Sequence, residues 1–133
     1  TDRIVEVADA VAEAGADAVT CVNTLLGFAY DPVSLQPALG AGGGGLSGRA
    51  MHPVAVRAVH DVHAALPDLP IVGVGGVASG WDAIELLLAG ASAVQVGTAS
   101  FAEPAACGRV HDELVAWLEG RGMRGLADIA ALA

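Results

Sequence analysis

Apolar and polar positions along this chain switch between two periods. From Thr1 to Ala14, Ile4, Val7, Ala8 and Val11 recur at helical spacing, with Asp2, Glu6, Asp9 and Glu13 turned outward. This predicts an amphipathic helix, capped by Thr1 or Asp2 and ended by Gly15. Ala16–Asn23 follows as a β-rich run that closes on polar Asn23-Thr24. Pro53–Leu66 returns to the helical period, with Pro53 at its first position and Val56, Val59, Val62 and Ala65 or Leu66 inward. Ile71–Val74 and Ala93–Val96 are continuous apolar runs, the pattern of strands buried on both faces. Between them, Ser79–Ala89 carries Ile84, Leu87 and Leu88 at helical spacing behind Ser79 as N-cap. Glu103–Gly120, with its stripe of Val110, Leu114, Trp117 and Leu118, predicts a further helix. Gly122–Ala133 predicts a short helix packed on the outside.

Helix and strand therefore alternate, which predicts parallel strands joined by right-handed crossovers in an α/β fold. Leu25–Arg49 breaks the rhythm and is too long for an ordinary βα loop. Asp31-Pro32 lies between Phe28-Ala29-Tyr30 and Ser34-Leu35-Gln36, so a hairpin is expected there. The glycine run 40–45 predicts backbone that is mobile or passes very close to something. A long loop at a strand's carboxyl end is a common place for function.

The chemistry gathers at the same strand ends. Gly75-Gly76 and Gly97-Thr98 close the two apolar strands at equivalent positions. Without Cβ atoms, such turns let backbone N–H groups approach a phosphate, and a following helix N-terminus adds partial positive charge. Either turn alone is equally a tight strand-to-helix connection; the tandem favours a phosphate cup, as after the last two strands of a (βα)8 barrel. Asn23 offers a donor and an acceptor to a planar amide or carboxylate, or simply forms an Asn-Thr turn.

Composition narrows the picture. The chain has 133 residues, 54% of them apolar, and a formal net charge of −9. That size suits one modest domain, and the acidity argues against nucleic acid or an anionic membrane as partner. No run is long enough to span a bilayer and no secretory signal is visible, so a cytoplasmic setting is expected. Cys21 and Cys107 have no metal or redox spacing, and Cys107 is expected as a small packing residue. His60 and His63 are three apart on a helix but have no third ligand in register, so they are read as solvated surface and no metal is assigned. His52 lies nearer the expected site.

The pieces also occur in a telling order: Val22-Asn23-Thr24, GGGLSG ending at Gly48, His52-Pro53, GVGGV over 73–77, and AGASAVQVGTASF over 89–101. This order resembles the carboxyl-terminal part of dihydroorotate dehydrogenase, most closely its class 1B branch, over essentially the whole chain. The resemblance implies the C-terminal portion of a TIM (βα)8 barrel, with 1–133 forming part of one FMN-binding domain and beginning after the fifth strand. It implies that Val22 and Gly48 lie against FMN, that Gly75, Gly76, Gly97 and Thr98 hold the FMN phosphate, and that Asn23 and Thr24 hold the pyrimidine. The implied reaction is oxidation of dihydroorotate to orotate in pyrimidine biosynthesis. No catalytic residue is assigned here: the family's base is a cysteine on an upstream loop, and Cys21 is not that residue. The family's flavin-contacting lysine also lies upstream, so this chain alone is not expected to turn over.

Arg49 and His52 stand where the family often has proline and lysine, which bears on local loop conformation. The branch resemblance implies a second subunit carrying FAD and a [2Fe-2S] cluster, with NAD as acceptor, and a homo-oligomer in the full protein. Two alternatives stand beside this reading. The FMN domain of dihydropyrimidine dehydrogenase shares the GGLSG loop and glycine turns. A non-catalytic phosphate-binding half-barrel would have two open sheet edges.

Overall fold

The computed structural model describes residues 3–132. Helix α1 (Ile4–Glu13) leads to strand β1 (Val19–Cys21), and β2 (Leu25–Phe28) and β3 (Gly43–Leu46) follow. A 3-10 turn, Arg49–Met51, runs into α2 (His52–Ala65). Then come β4 (Ile71–Val74), α3 (Gly80–Leu88), β5 (Ala93–Gln95), α4 (Ala99–Ala102), α5 (Ala106–Glu119) and α6 (Leu126–Ala130).

β1, β4 and β5 make a three-stranded parallel sheet in the order β1-β4-β5. Val19 pairs with Ile71, and Val72 with Ala93. The crossovers are α2 and α3, as the alternation of periods predicts. β4 has its expected bounds. α3 is bounded as expected too: the Ser79 hydroxyl accepts from the Asp82 N–H at 3.3 Å. The main core lies between sheet and helices, where Ala55, Val59, Val62, Ile71 and Leu86 are buried. A second cluster joins Leu87 of α3, Leu118 of α5 and Ile129 of α6.

Several expectations are corrected. Thr1 and Asp2, the expected caps of α1, lie outside the described residues; Arg3 holds the cap position and pairs with Glu6. The α1 face that packs is Ile4, Val5 and Ala8, while Val7 and Val11 are exposed, because α2 meets only one flank of the helix. β1 is shorter than the run 16–23. The strands are not buried on both faces: in β4, Ile71 and Gly73 are buried but Val72 and Val74 are half-exposed, and in β5 Ala93 and Gln95 are exposed. Helices cover one side of this sheet and nothing among the described residues covers the other.

The helix expected from Glu103 begins at Ala106. Glu103 precedes Pro104, whose ring disfavours helical geometry in the residue before it, and it is extended at φ −136°, ψ 98°. Ala106 is the buried residue of that turn and Cys107 is exposed, contrary to its expected packing role. The hairpin is also longer than expected. Leu25–Phe28 pairs with the glycine run itself, Leu25 opposite Leu46 and Phe28 opposite Gly43. The run is a strand, and its freedom from side chains allows close approach: a Cβ on Gly45 would collide with the Thr24 side chain.

Candidate functional site

The carboxyl ends of β1 and β4, the chain just beyond β5, and the turn before α2 converge on one cleft of about 450 Å3. It is lined by Val22, Asn23, Thr24, Gly48, Gly75, Gly76, Gly97 and Thr98, so the structure brings every sequence-identified position together. Thr20, Ser47, Met51 and Val74 line it as well and were missed. Thr20 was within reach of the sequence, since it stands two residues before Val22 in the same β-rich run.

Each wall has a local reason. The Val22 N–H donates to the Val74 carbonyl at 2.8 Å, which continues the β1–β4 ladder into the cleft. The Cys21–Val22 peptide is cis. Asn23 Oδ1 accepts from the Thr24 N–H at 2.7 Å, which engages the acceptor end of this amide; residues 22–24 form no turn. Its NH2 end remains a donor at the cleft. Gly75 and Gly76 sit at φ 147° and 69°. A Cβ on Gly76 would lie 2.8 Å from the Gly48 carbonyl oxygen, and one on Gly75 would lie 2.5 Å from Ala55 Cβ. These glycines are therefore required by the close approach of α2, at Gly75, and of the turn before it, at Gly76. Gly97 differs: a Cβ there meets nothing within 4 Å. Its missing side chain leaves open space in the cleft.

The N-terminus of α3 does not contribute as expected. The Ala78 N–H donates to Asp82 Oδ2 at 2.9 Å, and the Gly80 N–H to Glu113 Oε2 at 2.6 Å. Side-chain carboxylates thus already satisfy this helix start.

A neighbouring cavity of about 390 Å3 shares Gly48, Gly76 and Thr98 with the cleft and adds Arg49, Glu103 and Arg109. Arg109 holds Glu103 at 2.7 Å and Glu113 at 2.7 Å, and donates to the Ala78 carbonyl at 3.2 Å. The Gly80 N–H, then the Arg109 guanidinium, keep the Glu113 carboxyl below its ordinary range.

Cys21 is buried beside the cleft, and burial pushes its thiol up, so it stays protonated and unsuited to take a proton. His60 is exposed beside Asp61, while His63 lies against Gly90. His52 sits behind Gly75: its Nδ1 is 2.8 Å from the Gly75 carbonyl, and Nε2 faces Asp82 and Glu85. Those acidic partners were not identified from the sequence, although Asp82 and Glu85 are spaced to share one face of α3.

Residues 1–118 match the family model described as dihydroorotate dehydrogenase. The chain belongs to the dihydroorotate dehydrogenase family. It is 49% identical over 129 residues to the dihydroorotate dehydrogenase B (NAD(+)) catalytic subunit of Trichlorobacter lovleyi, covering 97% of this chain and 41% of that one. It is 48% identical over 126 residues to the same subunit of Pelobacter propionicus, covering 95% and 41%. A putative dihydroorotate dehydrogenase A (fumarate) of Solibacter usitatus is 48% identical over 117 residues, covering 88% of this chain and 38% of that one. Among solved structures, the dihydroorotate dehydrogenase of Eimeria tenella in complex with ferulenol superposes with a TM-score of 0.78 at 32% identity, covering 98% of this chain and 35% of that one. The fold is accordingly a portion of a (βα)8 barrel, and the family is one of oxidoreductases. The chain spans about two fifths of the length of these curated relatives. Among the described residues, no helix is long and apolar enough to cross a membrane.

Proposed function

We propose that this chain is the carboxyl-terminal part of an FMN-dependent dihydroorotate dehydrogenase, oxidising dihydroorotate to orotate, and that it supplies the FMN-phosphate cup and one side of the pyrimidine site. The observation that carries this reading is the convergence of Val22, Asn23, Thr24, Gly48, Gly75, Gly76, Gly97 and Thr98 on a single cleft at the strand ends. The fit to a flavin phosphate rests on Gly97, where a Cβ would enter open space and no neighbour forbids one.

In this reading the backbone N–H groups of Gly75-Gly76 and Gly97-Thr98 bind the phosphate, while Val22 and Gly48 lie against the ring system. The bound flavin supplies the hydride acceptor. Asn23 donates its amide N–H to the pyrimidine, and Thr24, held by the hairpin at Gly45, adds a hydroxyl. Both fix the substrate's orientation. No group among the described residues serves as base: Cys21 is buried and protonated, and the proton falls to a cysteine of the upstream half. An FAD and iron–sulfur subunit passing electrons to NAD, and a homo-oligomeric full protein, belong to the same proposal. Support comes from relatives named as NAD(+) catalytic subunits.

In the full-length protein, Asn23→Ala should lower kcat/KM for dihydroorotate by roughly 10- to 100-fold, the loss of one to two good hydrogen bonds, with flavin content unchanged. Dihydrouracil serves as the control substrate. Unchanged kcat/KM for dihydroorotate, or faster turnover of dihydrouracil by the parent enzyme, would overturn the assignment.

A further inference from the structure

Behind the cleft, His52 carries an unusual arrangement. The residue is 8% exposed and its Nε2 is buried without a hydrogen-bond partner. Its Nδ1 lies 2.8 Å from the Gly75 carbonyl. A carbonyl only accepts, so Nδ1–H donates to it and Nε2 is turned the other way. Nε2 faces Glu85 Oε2 at 3.3 Å and Asp82 Oδ1 at 3.9 Å, and the three ligand atoms all lie within 4.8 Å of one another. Two carboxylates beside one buried, unbonded ring nitrogen mark a point that a cation can occupy.

We infer that His52, Asp82 and Glu85 form a binding site for a divalent transition-metal ion of the Zn2+ type, a site the sequence alone did not reveal. Zinc holds imidazole nitrogen and carboxylate oxygen at about 2.0–2.2 Å, which puts neighbouring ligands roughly 3.3–3.5 Å apart. The His52–Glu85 separation already matches. The three atoms lie within 4.8 Å of one another, so the two carboxylates draw closer around an ion, and Glu85, whose side chain is 37% exposed, has the freedom to do so. The supporting shell is also present. His52 Nδ1–H is anchored on a backbone carbonyl, the usual outer partner of a metal-bound imidazole, and Asp82 Oδ2 is held by the Ala78 N–H. One imidazole with two carboxylates suits zinc better than calcium or magnesium. The two carboxylates together match the charge of a dication. The fourth position opens to a groove between α2 and α3 lined by Pro53, Val56 and Trp81. The ion would tie these helices together directly behind the Gly75 turn.

The test is Zn2+ titration by calorimetry of the full-length protein freed of metal, with Co2+ absorption reporting coordination geometry. The parent should bind one ion at this site. Glu85→Gln should weaken that binding by more than about tenfold while the melting temperature without metal is retained. His52→Lys places a tethered ammonium between the same carboxylates and should abolish the binding without unfolding the protein. A parent that binds no more Zn2+ than His52→Lys, or an affinity unchanged in Glu85→Gln, would overturn the site.

Discussion

Gly76 and Gly97 look alike in the sequence and do different work in the structure. At Gly76 the left-handed backbone and the Gly48 carbonyl at 2.8 Å from any added Cβ leave no room. Gly76→Ala should therefore destabilise the fold by about 1–3 kcal/mol, read as a lower denaturation midpoint with the denaturant slope unchanged. At Gly97 an added Cβ strains nothing, so substitution there reports on the ligand. This division was hidden in the sequence, where both glycines read as parts of one phosphate cup. Their place in the cleft was legible because glycine at a strand's carboxyl end is a local signal. Asp82 and Glu85 behind the cleft were not, because their relation to His52 exists only once α2 and α3 are packed together.

At the scale of elements, β4 and α3 follow the sequence closely, since a short apolar run and a Ser79 cap are decided by neighbours in the chain. The hairpin does not follow it. The turn at Asp31 is local and legible: its carboxylate accepts from the Val33 and Ser34 N–H groups at 3.0 and 2.6 Å. Its outer strand is glycine, which has no side-chain periodicity to read. The start of α5 was misplaced by the Pro104 effect on Glu103. The joint between α3 and α5 makes its own prediction. Glu113 accepts from the Gly80 N–H and from Arg109, which lowers its folded pKa below the unfolded value. Its contribution is then present above the unfolded value, about 4.3, and is lost as pH falls through the folded value. Glu113→Gln should melt below the parent at neutral pH, and the two melting curves should converge as the solution is acidified through that range. A gap that persists in acid would place the effect elsewhere.

At the scale of the molecule, the described residues place helices on one side only of the parallel sheet, with Val72, Val74 and Gln95 on or toward the uncovered side. The cleft opens among the same strand ends, so the described residues form one wall of a site within a barrel. The α/β class was legible from the alternation of periods, while the uncovered face was not, because an apolar strand reads the same whether or not a second layer meets it. The central claim is that this wall holds the flavin phosphate, and Gly97→Val tests it most directly. The full-length variant should fold with the parent's melting temperature when both are freed of flavin, yet bind FMN at least about tenfold more weakly, a loss of some 1.4 kcal/mol. FMN affinity equal to the parent's would contradict the account, because a side chain would then fill the cradle at no cost.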